Sequence, residues 1–152
     1  YAGNNFYVNS ADTVFTMQNG TMTGAKSTGR GSSIRANLGQ INVSKVNFNN
    51  GYSYLGGVIY NATDNSTISN SSFVSNQAVN IKDTSGTIYA GMGGVIYNSG
   101  NNLQISDSKL ESNKAYYGGA LYNSGTVSIK DSKFDSNSST AYGGAIFNNG
   151  GI

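Results

Sequence analysis

Apolar residues recur along this chain at two spacings. Over short distances they alternate, as in Val127-Ser128-Ile129 and Ser132-Lys133-Phe134-Asp135-Ser136, and Ile41/Val43 and Leu103/Ile105 repeat the first pair. A period of two is strand behaviour and cannot build a helical stripe. Over longer distances a six-residue group returns four times: Gly56-Gly57-Val58-Ile59-Tyr60-Asn61, Gly93-Gly94-Val95-Ile96-Tyr97-Asn98, Gly118-Gly119-Ala120-Leu121-Tyr122-Asn123 and Gly143-Gly144-Ala145-Ile146-Phe147-Asn148. Between the copies lies an apolar residue three before an asparagine: Phe73 to Asn76, Leu110 to Asn113, Phe134 to Asn137. Phe48 starts the earliest such unit, with Gly51 at the asparagine place.

The glycine pairs begin at 56, 93, 118 and 143, so the steps are 37, 25 and 25. Phe48 to Phe73 is 25 and Phe73 to Leu110 is 37, which confines an insertion to residues 77–92. Within it, Val79, Ile81, Ile88 and Tyr89 around Asp83 to Gly86 predict a small hairpin. Run backwards, the period places Ile34 under Ile59 and Gly31 under Gly56, with Ser32 and Ser33 replacing the second glycine and Val58. Residues 1–30 read as a degenerate first coil with Met17 and Met22 at apolar positions.

A fixed period with strand alternation means a solenoid whose units bury their apolar faces on one another. The expected fold is all-β, a parallel β-helix of five to six coils, three short strands per coil, with one inserted loop near 77–92. Strands one coil apart lie about 4.8 Å from each other, giving a rod roughly 25 to 30 Å long. Its core would be the columns Val43/Ile68/Ile105/Ile129, Phe48/Phe73/Leu110/Phe134 and Ile34/Ile59/Ile96/Leu121/Ile146. Two asparagine ladders are expected at its corners, Asn76/Asn113/Asn137 and Asn61/Asn98/Asn123/Asn148, because a carboxamide donates and accepts along a column. Alternation from the inward Ile59 column then turns Tyr60, Tyr97, Tyr122 and Phe147 outward, together with Val58, Val95, Ala120 and Ala145.

Composition agrees. There is no proline to interrupt a strand, 21 glycines serve turns, and 37% of residues are hydrophobic against 11% charged, which argues against disorder. No cysteine and no histidine remove disulfides, Ser-His-Asp triads, cysteine nucleophiles and ordinary zinc sites. The glycine pairs lack the Lys-Ser/Thr of a phosphate loop, so no cofactor and no metal are expected. A net charge of +2 with scattered basic residues gives no nucleic-acid footprint. No apolar run is long enough to cross a bilayer. The chain opens at Tyr1 without a methionine and stops a few residues into another repeat, as a fragment of a longer repeat protein would. Membrane attachment is then expected only through missing segments.

The alternation of Gly-Gly-Ala/Val-Ile/Leu-aromatic-Asn with Phe-x-x-Asn resembles the repeats of chlamydial polymorphic membrane proteins and of related adhesin-like surface proteins in bacteria, archaea and some protists. The resemblance covers Gly31 to Asn148. It implies a secreted, right-handed parallel β-helix at the cell surface or outside the cell, displaying adhesive or structural surface within a longer protein. Gly51 in place of asparagine, Leu110 in place of phenylalanine and the weak first two repeats depart from the pattern.

Three readings of function follow. The leading one is a structural or adhesive surface protein, or a filament subunit joined through its coil ends or through the outward stripe Tyr60, Tyr97, Tyr122 and Phe147, widened by Tyr117 and Tyr142. Its partner would be a sugar ring or protein at a host or cell surface, or an identical rod. The alternative is a carbohydrate-active β-helix enzyme using Asp107 above Asp131 and Glu111 above Asp135, with Lys109 above Lys133 between them. Exposed strands of alternating charge give a solvated face more simply, so no catalytic residue is assigned. Ice binding is the third, and Thr63, Thr67, Thr84, Thr87 and Thr126 share no column to support it. Six sequons, at Asn19, Asn42, Asn61, Asn65, Asn70 and Asn137, are candidate glycosylation sites, Asn65 foremost because it sits in the short turn 62–66.

Overall fold

The structure is a computed structural model that describes residues 3–152. Among these residues there are eighteen strands and no helix, and the chain winds into a parallel β-solenoid of about six turns. The predicted columns form in register. Ile34 pairs with Ile59, Ile59 with Ile96, Ile96 with Leu121 and Leu121 with Ile146. Val43, Ile68, Ile105 and Ile129 follow one another in a second column, and Phe48, Phe73, Leu110 and Phe134 in a third. These side chains are buried except at the last coil, where Ile129, Phe134 and Ile146 are half-buried.

The first turn is one long strand, Phe6–Thr23, paired with Ile34–Asn49. Phe15 lies on Ile41, Met17 on Val43 and Met22 on Phe48, so the degenerate coil keeps its three inward positions. A bulge between Asn9 and Val14 interrupts the pairing.

The inserted residues leave and rejoin the stack at defined points. Gln77 and Ala78 still pair with Tyr52 and Ser53, and Met92 bridges Leu55 below and Tyr117 above. Between them Ile81–Lys82 and Ile88–Tyr89 form an antiparallel hairpin. The repeat length itself drifts. Leu103 pairs with Val127 and Leu110 with Phe134, steps of 24, and a bulge between Ala115 and Tyr117 restores the 25-residue step from Tyr117 to Tyr142.

One expectation fails at the glycine corner. Val58, Val95 and Ala120 are fully buried and Ala145 is half-buried, not outward. Alternation holds from Ile59 onward but breaks just before it, because one carbonyl accepts two successive amides at each level. The Val95 carbonyl, for example, takes the amide hydrogens of both Val58 and Ile59 at 2.9 Å. Two amides sharing one acceptor is a bulge-like kink, which turns consecutive side chains to the same face.

Both asparagine ladders are present. Asn76 Nδ2 donates to Asn113 Oδ1 at 3.0 Å and Asn113 Nδ2 to Asn137 Oδ1 at 2.9 Å, while the same amides reach the carbonyls of Phe48 and Phe73. In the second ladder Asn61, Asn98 and Asn123 each donate to the next asparagine at 2.7 Å, and also to the carbonyl two residues ahead. Gly51 ends the first ladder by presenting its backbone amide to Asn76 Oδ1 at 2.8 Å. A third ladder runs through serines: the amides of Val46, Ser71 and Ser108 donate to the hydroxyls of Ser71, Ser108 and Ser132 at 3.1 to 3.2 Å.

Candidate functional site

The outward residues of the glycine motif form one column. Tyr60, Tyr97, Tyr122 and Phe147 stack with centroids 5.3, 5.1 and 5.2 Å apart and planes within 14° of parallel. In-register parallel pairing dictates this, since each ring sits one strand spacing above its equivalent. The stack uses up the ring faces. Tyr60 is only 7% exposed, against the expectation of a fully outward aromatic, and Tyr97, Tyr122 and Phe147 are half-buried. The edges and hydroxyls remain. The hydroxyls of Tyr60, Tyr97 and Tyr122 have no protein partner among the described residues, yet no buried polar side-chain atom lacks one, so these hydroxyls meet solvent.

A second column runs on the other side of the glycine corner: Arg30, Leu55, Met92, Tyr117 and Tyr142, paired in that order. The two columns meet across the corner. Tyr117 lies 6.0 Å from Tyr142 and 5.4 Å from Phe147, and Tyr116 packs edge-on to Tyr117 at 4.8 Å. Tyr142, 66% exposed, extends the stripe towards the last coil. Burial pushes the Tyr122 hydroxyl above its ordinary pKa, with Tyr97 and Tyr117 adding to the effect, so it stays a neutral donor and acceptor at physiological pH.

Sequence reasoning left the arginines out. The chain's only two arginines both join this face at the N-terminal end of the column. Arg35 pairs with Tyr7 on one side and Tyr60 on the other, and its guanidinium lies 5.0 Å over the Tyr7 ring. Arg30 crosses from the neighbouring column to lie 4.9 Å over Tyr60. These are cation–π distances. Ion pairs among the described residues involve Lys109, Lys130 and Lys133 only, and neither arginine has a carboxylate partner. The hidden signal was the 25-residue step from Arg35 to Tyr60.

The hairpin borders the same surface. Tyr89 meets Tyr54 edge-on at 6.5 Å, and Tyr54, on the coil just before the glycine corner, has its hydroxyl pKa raised by burial and by the neighbouring Tyr97. Asp83 organises the hairpin turn. Its Oδ1 accepts from Ser85 Oγ at 2.6 Å and from the amides of Ser85 and Thr87 at 2.9 Å, and its Oδ2 from Tyr89 Oη at 3.2 Å. The Ser85 hydroxyl contributes most to holding this carboxyl below the usual aspartate range. Where the hairpin diverges, an open groove of about 310 Å³ runs between Gln77 to Asn80, Lys114 to Tyr116 and Ser138 to Thr140.

The carboxylates considered for catalysis lie elsewhere on the rod. Glu111 stacks on Asp135, as expected, but each is bound by the lysine two residues before it, Lys109 at 2.5 Å and Lys133 at 2.9 Å. The Lys133 hydrogen bond depresses the Asp135 pKa, and Asp135 raises that of Lys133. Asp107 and Asp131 occupy exposed corner positions at φ 48°. Among the described residues no three His, Cys, Asp or Glu side chains gather as metal ligands.

The sequons separate by accessibility. Asn61 is completely buried in its ladder and Asn137 is half-buried in the other, so both carboxamides are committed to the fold. Asn42 accepts from Thr67 Oγ1 at 2.9 Å, and Asn65 from Asn102 Nδ2 at 2.9 Å. Asn19, Asn65 and Asn70 are exposed at positive φ.

Against known proteins, no curated protein and no solved structure matches the chain. Residues 131–149, which hold the last Phe-x-x-Asn and the last glycine corner with its aromatic and asparagine, match the family model of the Chlamydia polymorphic membrane protein repeat.

Proposed function

We propose that this chain is a rigid segment of an extracellular or cell-surface protein with a structural or adhesive role, making contact through the Tyr–Arg face. The stacked column carries the proposal. The outward columns Asn42/Thr67/Gln104/Ser128 and Asn47/Ser72/Lys109/Lys133 are polar or charged, whereas this one lines up aromatic edges and free hydroxyls from coil to coil. The match at residues 131–149 supports a surface or adhesin-like β-helix protein. A solenoid suits such work because hydrogen-bonded coils hold the spacing of the contact groups fixed, so little order has to be created on binding. The partner is a glycan or protein at a cell surface, or another rod packing side by side into a filament. The rod's carboxylates do no chemistry in this reading, since Glu111 and Asp135 are neutralised by Lys109 and Lys133.

Electron microscopy of the native material together with a cell-binding assay tests it. Tethered stalks, or fibres with the aromatic face at the contact, are the expected images, and Tyr97→Ala with Tyr122→Ala should reduce cell binding or fibre growth at least tenfold. Dispersed rods whose surface binding is unchanged by both substitutions would remove the proposal.

A further inference from the structure

We infer that the Tyr–Arg face binds an extended acidic polysaccharide, laid along the rod axis with its anionic groups on Arg30 and Arg35. This rests on the proposed contact role of the face and adds the chemistry of the ligand.

The geometry rules out one familiar mode. Sugar rings bind aromatic side chains face to face, and the faces of Tyr60, Tyr97 and Tyr122 are covered by one another at 5.1 to 5.3 Å. What the column offers instead is a straight row of phenolic hydroxyls, one per coil, without protein partners. Their repeat is close to the length of one pyranose residue in an extended 1→4-linked chain, so each coil sets one phenol against about one sugar, while the twist of the chain turns a given sugar edge to the row at every second or third residue. Each phenol can donate to one sugar oxygen and accept from another sugar hydroxyl.

Charge selects among polysaccharides. Both guanidinium groups stand at one end of the row, Arg30 over Tyr60 and Arg35 over Tyr7, with no carboxylate within ion-pair distance among the described residues. Arg35 makes one hydrogen bond, from Nε to Asn37 Oδ1 at 3.3 Å, which leaves its two terminal nitrogens free. A guanidinium fork held on an aromatic face is preorganised for a planar carboxylate and also accommodates a sulfate. The chain's other cations are lysines, and Lys109, Lys130 and Lys133 are paired with acids away from the aromatic columns. A neutral glucan would leave both arginines unanswered.

The test is the affinity of the whole chain for three soluble probes: polygalacturonate, which carries a carboxylate on each sugar, heparin, which adds sulfate, and a neutral 1→4-linked glucan. At least one acidic polymer should bind and the neutral glucan should not, the better acidic probe showing whether carboxylate or sulfate is preferred. Arg30→Gln with Arg35→Gln should weaken binding at least tenfold, Arg35→Lys less, and Tyr97→Phe with Tyr122→Phe severalfold, while Lys133→Gln leaves it unchanged. Unaltered thermal unfolding of the arginine variants keeps the comparison valid, and the two Phe substitutions retain the stack while removing only the hydroxyls. Failure of both acidic probes, equal binding of the neutral glucan, or binding that survives loss of both arginines would overturn the inference. Cell binding that still depends on Tyr97 and Tyr122 would then leave the contact role standing with a different partner; insensitivity to them would remove both.

Discussion

Two kinds of corner turn the chain in this solenoid, and both hold residues at positive φ. At the glycine corner Gly93 sits at φ 68°, and at the corner after the phenylalanine column Ser112 sits at φ 56°. The left-handed conformation therefore does not by itself demand glycine. Space does. A Cβ on Gly93 would lie 1.9 Å from the carbonyl oxygen of Ile96, and one on Gly94 2.0 Å from that of Gly119 in the next coil. At the serine corner the side chains of Ser75 and Ser136 point to solvent, so Asn50, Ser75, Ser112 and Ser136 all serve there. The parallel corner accepts Lys45, Asn70, Asp107 and Asp131 in the same way. Because the glycine corner carries no side chains, the aromatic residues either side of it touch, Tyr117 against Phe147 at 5.4 Å. The corner whose first position is glycine in every coil, Gly31, Gly56, Gly93, Gly118 and Gly143, is the one that creates the contact face.

Substitutions test the contrast between the corners in graded steps. Gly94→Ala should cost about 3 kcal/mol or more, because backbone oxygens cannot move aside without parting two coils. A chemical-denaturation midpoint equal to that of the parent would end the distinction between the corners. Asn98→Ala comes next, at about 2 to 3 kcal/mol. It leaves the buried Asn123 Oδ1 without its donor and takes one partner each from Asn61 Nδ2 and the Gly100 carbonyl inside the rod. Gly86→Ala, in the hairpin turn at φ 92°, meets only Lys82 Cε at 3.5 Å. It should cost about 1 kcal/mol from the backbone alone, felt as faster amide exchange in the hairpin with the coils untouched. Ser112→Gly should shift stability by less than about 1 kcal/mol in the favourable direction, since the exposed corner already has the conformation glycine prefers.

The hairpin adds a pH test of the same contrast between exposed and enclosed turns. Asp83 has a lowered pKa in the fold, so its contribution to the turn is present above the ordinary aspartate range and is lost as pH falls through the lower folded value. Protection of the Thr87 amide, its exchange rate taken relative to the intrinsic rate at each pH, should fall on acidification in that window and not in Asp83→Asn. Protection of the Asn98 and Asn113 amides, inside a core without titratable groups, should stay unchanged across it.

Much of the rod was legible because parallel in-register stacking converts a sequence period directly into contact. Residues 25 or 37 apart become neighbours, so the Ile, Phe and Asn columns could be read as lists and then found as hydrogen-bonded stacks. The serine ladder was equally available, as Ser71, Ser108 and Ser132 each stand two residues before Phe73, Leu110 and Phe134, but serines carry no expectation of burial and were passed over. Val58 and Val95 were placed on the wrong side. Strict alternation does not survive a corner where one carbonyl accepts two amides, and nothing in the local composition marks that sharing. The same period that built the core also put Arg35 into the aromatic column, yet a charged residue under a tyrosine reads as a break in the pattern until the guanidinium is seen over a ring.

The solenoid, its repeat, its core columns and its ladders follow from the order of residues alone, because each depends only on which residues recur at coil spacing and on the hydrogen-bonding or apolar character they carry. What the outward surface offers was settled by folding in three dimensions. Stacking hid the tyrosine faces and left their hydroxyls, the glycine corner drew two columns together, and Arg30 reached from one column onto the ring of the other. These outcomes depend on distances across corners and between coils, which a period does not encode.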